Sequence, residues 1–347
     1  MASAGPTPGW SMSLTAEEAS TEVLGQLSER YRGLLLGLAI GDALGMPVQH
    51  RRRGTFSPVG DLLAGGPFDL PRGAWTDDTA QVLCLAESLV ECGQVDLHDL
   101  QARLVLWQRE GRLSSTGQCI GISAVTARAL VAAHATGALS EIANQPARAE
   151  REPMVRAGVA VAWTQPDLLA GVRLAQQAVL LTHPSTLATD CVAAYAALLA
   201  GALLGVPPAD LLDPDYVTAA LEACGAGEPA LHPAVCELLQ GAWRDLPEVR
   251  LAGVWVKDTG ALEGLAVALG ALHRGRTSFR SGVLWAVNLG GESDTNGAIA
   301  GQLLGAVHGM AGLPVGWVAA VANEAVLTAL ADGLLNAALT RLASEAA

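Results

Sequence analysis

Four glycines set the strongest constraint on how this chain folds. In "GLLLGLAIGDALGMPVQ", residues 33–49, Gly33, Gly37, Gly41 and Gly45 recur every four positions of an otherwise apolar run. That spacing lines one face of an α-helix. Each glycine inside a helix costs up to about 1 kcal/mol against alanine. Four of them imply a neighbouring helix that approaches too closely for side chains to intervene. Asp42 interrupts the same run. A carboxylate within an apolar helix must be paired, hydrogen-bonded or near a cation.

Helical periodicity continues through nearly the whole chain. It predicts helices near 21–45, 77–92, 96–110, 119–136, 154–163, 167–182, 186–205, 215–224, 232–243, 258–273, 277–287, 295–310 and 315–344. The 51% hydrophobic content is dominated by small and aliphatic residues, which suits closely packed helices. "RLAGVWV", residues 250–256, is the one β-compatible stretch. The reading is a single all-α domain over 21–347 with no fixed-period repeat. A flexible tail is expected over 1–20, where no basic segment precedes an apolar core, so it does not read as a signal peptide. "AAYAALLAGALLG", residues 193–205, comes nearest to a membrane span. It is short and runs into Pro207 and Pro208, so a buried helix is expected.

Net charge narrows the function classes. At −13, with a pI of about 4.9, the chain lacks the basic footprint that non-specific nucleic-acid binding requires. Six cysteines show no CxxC pairing and read as reduced thiols of a cytoplasmic protein.

Three stretches carry chemistry. A long irregular segment, residues 46–76, follows the glycine helix and leads into "WTDDT". There Thr76, Asp77 and Asp78 open an amphipathic helix. Thr and Asp are ordinary helix starters, and acidic first turns suit the helix dipole. Yet the same residues offer several hard oxygen ligands within one turn, as Mg²⁺ or Mn²⁺ requires. Near the C-terminus, "GGESDTNGAIAG", residues 290–301, repeats the pattern with Glu292, Asp294 and Thr295 behind Gly290 and Gly291. Two such helix starts facing each other would make a two-metal site. His183 closes an apolar helix in "THP", where a histidine can simply face the helix dipole. Arg156 reads either as a helix-surface charge or, as its apolar neighbours favour, as a buried partner for carbonyls and carboxylates.

Taken together, "GDALGMPV", "WTDDT", "MVRAGVAVA", "THP", "VKDTGALEGLAVAL" and "GGESDTNGAIAGQLLGA" resemble the ADP-ribosylglycohydrolases over about residues 30–312. The resemblance implies a compact orthogonal multi-helix bundle, normally monomeric, with two Mg²⁺ or Mn²⁺ ions in a cleft. It implies metal ligands at Thr76, Asp77, Asp78, Glu292, Asp294 and Thr295, with Asp77 and Asp78 as the catalytic candidates. Gln49, His183, Gly290 and Gly291 fall at substrate-facing positions. The implied reaction is hydrolysis of the glycosidic bond to the terminal ribose of ADP-ribose. The acceptor released would be a protein, a nucleic acid or a small molecule.

Three positions depart from the family pattern. Gln49 stands where many relatives carry Glu, and an amide cannot act as a base. Glu292 replaces an Asp, so its carboxylate sits one methylene further out. "AEREPMVRAG", residues 149–158, replaces an Asn-Gly-rich diphosphate loop with Glu150 and Glu152, which leaves Gly117 and Gly121 as the alternative cradle. These departures keep two alternatives open. One is hydrolysis of another ribosyl or phospho-ribosyl compound, and the other is a non-catalytic, metal-dependent ADP-ribose-binding protein.

Overall fold

The computed structural model describes residues 21–136, 149–227, 230–253 and 259–345. The expected tail over 1–20 and the end of the β-compatible stretch, 254–256, lie outside them. The fold is all-α: among the described residues there are sixteen α-helices and no β-strand. In the N-terminal half they are α1 (Thr21–Gly45), α2 (Asp77–Cys92), α3 (Leu97–Glu110), α4 (Ala124–Thr136), α5 (Ala157–Thr164), α6 (Leu168–Leu180), α7 (Thr186–Leu204) and α8 (Pro208–Leu211). The remainder are α9 (Tyr216–Ala223), α10 (Pro233–Leu239), α11 (Glu248–Leu251), α12 (Gly260–Arg274), α13 (Phe279–Val287), α14 (Ser293–His308), α15 (Val315–Val318) and α16 (Glu324–Glu345).

The glycine stripe finds its neighbour in α14, which carries a matching stripe of its own. The two helices run antiparallel and touch backbone to backbone. A Cβ added at Gly33, Gly37 or Gly41 would lie 2.2, 2.3 or 1.9 Å from the carbonyl oxygen of Gly305, Gly301 or Gly297. The relation is reciprocal, since a Cβ at Gly301 would lie 2.0 Å from the Gly37 oxygen. At the end of the seam, a Cβ at Gly45 would meet the Ser293 oxygen at 2.0 Å, and Ser293 Oγ donates to the Gly45 carbonyl at 2.7 Å. Antiparallel packing therefore places the C-terminal end of α1 beside the start of α14.

Other helices wrap this pair. α7, α12 and α13 pack on α14, while α16 packs on α1 and α2. Buried polar groups lock the layers: Tyr195 Oη donates to Ile299 O at 2.7 Å, Gln302 Nε2 to Val155 O at 2.8 Å, and Tyr31 Oη to Ala162 O at 2.8 Å. Helices α7 and α16 are both long and apolar enough to cross a membrane. α7 is 78% buried within the protein, as a core helix is, and α16 is 28% buried. All six cysteines are free.

The helix expected over 232–243 ends at Leu239, with Gly241 at φ +114°, the one expected over 154–163 opens as the 3₁₀ turn Glu152–Arg156, and three further segments differ from the sequence expectation. The stretch 119–123 is a loop that precedes α4, with Ser123 Oγ accepting from Thr126 N, and Gly121 in it has φ +89°. The helix expected over 315–344 is split into α15 and α16. Between them Ala322 is fastened to the 73–75 segment: its N–H donates to Gly73 O at 2.9 Å and its carbonyl accepts from Trp75 Nε1 at 2.9 Å. Helical propensity in an alanine-rich run yields there to tertiary hydrogen bonds. The start of the β-compatible stretch forms the end of α11, which begins directly after Pro247.

After the 3₁₀ turn Met46–Val48, the irregular segment up to residue 76 is ordered by specific bonds rather than by helices. Asn288 holds Val59 through both its backbone N–H and its carbonyl, at 2.7 and 2.9 Å. The His50 N–H donates to Gly291 O at 2.6 Å, and Gly291 N–H donates to Arg51 O at 2.9 Å.

Candidate metal centre

Three helix ends converge on one buried spot: the C-terminal end of α1 and the starts of α2 and α14. Asp42 organises the junction. Its Oδ1 accepts from Thr76 N–H at 3.0 Å and Thr76 Oγ1 at 2.9 Å. Its Oδ2 accepts from Thr79 N–H at 3.1 Å and Thr79 Oγ1 at 2.7 Å. Thr76 sits at the N-cap of α2 yet makes no cap bond of its own. Asp42 caps that helix from α1 instead. Burial raises the Asp42 pKa, and the four donors work against that rise.

Beyond this bracket lie Asp77, Asp78 and Asp294, all buried, with carboxylate oxygens within 4.8 Å of one another. Both oxygens of Asp78 and Oδ1 of Asp294 have no hydrogen-bond partner. Buried acceptors are normally paired, and three carboxylates in one dry space repel. Burial, and after it the charge of neighbouring carboxylates, pushes all three pKa values well above the usual range. A hard cation resolves both problems, and the donor set of carboxylate and hydroxyl oxygens suits Mg²⁺ or Mn²⁺. Thr76 fits such a role, because its proton is directed at Asp42 and its oxygen retains lone pairs. Thr295 is buried beside Asp294.

Glu292 stands apart from the trio. Its side chain is 36% exposed and its Oε1 lies 3.8 Å from His50 Nδ1. Gly290 and Gly291 both take positive φ, and a Cβ at Gly290 would lie 2.4 Å from Arg51 O. These two glycines splice the 46–76 segment onto the start of α14. Gln49, adjacent to that splice, is buried with Oε1 unpartnered. Gly121 reaches the carboxylates: a Cβ there would lie 2.4 Å from Asp77 Oδ1. Gly117 packs its carbonyl onto Gly111.

A second group adjoins the first. Glu150, Glu152 and His183 bring ligand-type atoms within 4.8 Å of one another. His183 is fully buried, with Nε2 3.2 Å from Glu150 Oε2 and Nδ1 2.9 Å from Thr182 Oγ1. Arg156 is also fully buried and donates from Nη2 to Thr182 Oγ1 at 2.6 Å. Burial lowers its pKa to about 10. Glu152 accepts from Gln81 Nε2 and from Thr126 Oγ1, both at 2.7 Å. Burial alone would raise its pKa, but His183 and the Ser123, Thr126 and Gln81 donors hold it below the usual value. Gln81 links the two groups, since its Nε2 also lies 3.3 Å from Asp77 Oδ2.

Sequence reasoning singled out Asp42 as unusual without giving it a place. It passed over Gln81, although Gln81 lies one turn beyond Asp77 on the same face of α2. It also passed over Asn296, whose Oδ1 takes a hydrogen bond from the buried Arg151. Arg151 Nη1 and Asn296 Nδ2 both donate to Leu251 O, at 2.9 and 3.3 Å.

Comparison with known proteins bears on this arrangement. The family model described as ADP-ribosylglycohydrolase matches residues 24–343. The ADP-ribosylarginine hydrolase Tri1 of Pseudomonas putida is 32% identical over 313 residues, covering 90% of this chain and 80% of that protein. The ADP-ribosyl-[dinitrogen reductase] glycohydrolase of Rhodospirillum rubrum is 27% identical, covering 84% of this chain and 89% of that one. A solved structure described as an ADP-ribosylglycohydrolase-related protein complex superposes with a TM-score of 0.74 at 35% identity. That match covers 90% of this chain and 99% of the other.

Proposed function

Since the chain belongs to the ADP-ribosylglycohydrolase family, hydrolases of glycosyl bonds, we propose that it releases ADP-ribose from ADP-ribosylated protein through a dinuclear Mg²⁺ or Mn²⁺ site. The observation that carries this reading is the buried trio of Asp77, Asp78 and Asp294 with its unpartnered oxygens. Thr76, Asp77 and Asp78 from α2, and Asp294 and Thr295 from α14, would hold the ions, with Glu292 completing the set. Such ions would supply Lewis-acid chemistry at a ribose diol and a water.

The chain's own residues divide the remaining work. Asp42 holds the start of α2 in place through Thr76 and Thr79. Asp78 has both oxygens unpartnered and is the stronger ligand. Asp77 has one oxygen turned to Gln81 Nε2, so it would be less fully engaged with the ions than Asp78 and freer to accept the proton of the attacking water. The surrounding carboxylates favour positive charge developing at the anomeric carbon. Burial of the site keeps bulk water from diluting these interactions.

ADP-ribosyl-arginine and ADP-ribosyl-serine peptides, incubated with Mg²⁺, Mn²⁺ or EDTA, test the proposal by chromatographic detection of free ADP-ribose. Release with a divalent cation, and none with EDTA or in Asp294→Ala, is expected. Metal-dependent binding of ADP-ribose without turnover would favour a binding protein instead. Gln49 speaks for that second reading, because a neutral amide stands where relatives carry a carboxylate. Neither turnover nor binding would remove the ADP-ribose assignment altogether.

A further inference from the structure

A cavity of about 390 Å³ is formed by elements the metal centre does not use. Trp243 and Arg244 enter it from the 3₁₀ turn Ala242–Arg244, His273 and Arg274 from the end of α12, and Trp285 from α13. Leu251 and Glu248 of α11 form its near wall. The Leu251 carbonyl is the group that accepts from Arg151 and Asn296, so α11 touches both the cavity and the start of α14.

Its chemistry runs against the overall charge of the molecule. In a chain of net charge −13, two arginines and a histidine share one cavity with two indoles. The Arg244 guanidinium lies 4.4 Å from the Trp243 ring centroid, and that of Arg274 lies 4.2 Å from the Trp285 ring centroid. The His273 ring is 5.7 Å from the Trp243 ring. Among the described residues neither Arg244 nor Arg274 forms an ion pair, and the one acid in the lining, Glu248, is paired with Arg53. Trp285 Nε1 is buried with no acceptor. Burial, and after it the nearby Arg276, Arg274 and Arg244, lowers the His273 pKa, which places all three guanidinium groups in the field of one ring.

Arg274 spends one N–H on Gly270 O at 3.3 Å, and the guanidinium donors that remain, with no carboxylate opposite, suit an anion. Guanidinium groups match phosphate oxygens in pairs, and indole faces stack on flat heterocycles. Trp285 is held for this by Gly270, where a Cβ would lie 2.5 Å from the indole ring. The volume falls at the small end of ligand sites, enough for one ring, one sugar and a phosphate. We propose that this cavity is a binding site for a mononucleotide, with Arg244 and Arg274 on its phosphate and Trp285, the less buried of the two indoles, on its base. The proposal does not depend on the activity assigned to the metal centre.

Titration with AMP in EDTA tests it, because chelation removes the metal centre from the measurement. The readout is tryptophan fluorescence of the full chain. Saturable quenching is expected, unchanged in Asp294→Ala and weakened at least tenfold in Arg274→Met and in Arg244→Met. Far-UV circular dichroism establishes that both variants are folded. Absence of saturable quenching at millimolar AMP overturns the proposal, as does quenching that survives in the folded Arg244→Met/Arg274→Met double variant. Inorganic phosphate binding as tightly as AMP would also overturn it, because the base would then add nothing.

Discussion

Replacing Gly37 by alanine, with Gly25 as its control, tests whether the glycine seam is an obligatory contact. Both residues lie in α1, so the intrinsic gain in helix propensity is the same, up to about 1 kcal/mol. Their surroundings differ. A Cβ at Gly25 meets nothing within 4 Å, whereas one at Gly37 would lie 2.3 Å from Gly301 O and 3.0 Å from Gly305 Cα. Ordinary contact begins near 3.4 Å, so the two backbones must part by about 1 Å. The groups in the way are backbone atoms of a buried helix and cannot swing aside. A gap of that size forfeits roughly a quarter to a half of each dispersion contact it opens. Overpacking of this kind costs about 1–3 kcal/mol. The neighbouring Gly33–Gly305 and Gly41–Gly297 contacts open with it. We expect Gly37→Ala to lose about 2 kcal/mol net and Gly25→Ala to gain about 0.5–1 kcal/mol. Urea unfolding followed by circular dichroism measures both. An equal rise of the midpoint in the two variants would refute the reasoning, because the seam would then tolerate side chains.

Other consequences concern the carboxylates. In Asp42→Asn, two of the four donors from Thr76 and Thr79 must face an amide NH₂, whichever way the amide turns. At about 1–3 kcal/mol for each unsatisfied group, a loss of about 3 kcal/mol and weaker Mn²⁺ binding by calorimetry are expected; wild-type values for both would contradict the capping role. Asp78→Asn removes one of the mutually repelling charges, so it should raise the melting temperature in EDTA while abolishing the further rise that Mg²⁺ gives the parent. A drop in EDTA would argue against repulsion. For pH, the folded pKa values of Asp77, Asp78 and Asp294 exceed the unfolded ones in the cation-free protein. Between about pH 4 and those raised values the folded chain holds the extra protons, so its stability falls as pH rises. Thermal melts in EDTA should therefore give a higher midpoint near about pH 5 than near about pH 8, and the increment from Mg²⁺ should be larger at the higher pH. Equal increments would exclude these groups as the site of binding. Finally, Gln49→Glu should raise turnover of ADP-ribosyl-arginine if the amide is what limits it, and unchanged kcat would show that position 49 handles no proton.

Much of the fold was legible because helices announce themselves locally. The bounds of α1 and α2 follow from periodicity and from glycine and threonine at their ends. The split between α15 and α16 was not legible, because its cause lies at Gly73 and Trp75, some 250 residues away. The site shows the same division. "TDDT" and "GGESDT" were visible as oxygen-rich helix starts, and their shared chemistry suggested the pairing before the family resemblance assigned the ligands. That Asp42 caps α2 from another helix, or that Gln81 ties Asp77 to Glu152, depends on distances no spacing rule contains. Glu292 carries the plainest lesson. Its sequence position matches a ligand, and in the cation-free protein its carboxylate, 36% exposed, lies 3.8 Å from His50 while its charge still acts on Asp294.

The seam between α1 and α14 also acts as a gauge. The carboxylate of Asp294 rides on one helix, and the Asp42 bracket that fixes Asp77 and Asp78 rides on the other. With glycine facing glycine, the gap between them is set by main-chain atoms in contact, not by rotamers that can adapt. Such a jaw neither widens nor narrows to suit its contents. Ions the size of Mg²⁺ bind oxygen at about 2.0–2.1 Å and Ca²⁺ at about 2.3–2.6 Å. A jaw of fixed width would sort the two by radius, and the cation selectivity of the proposed site would then be a property of backbone packing some distance from the ligands themselves.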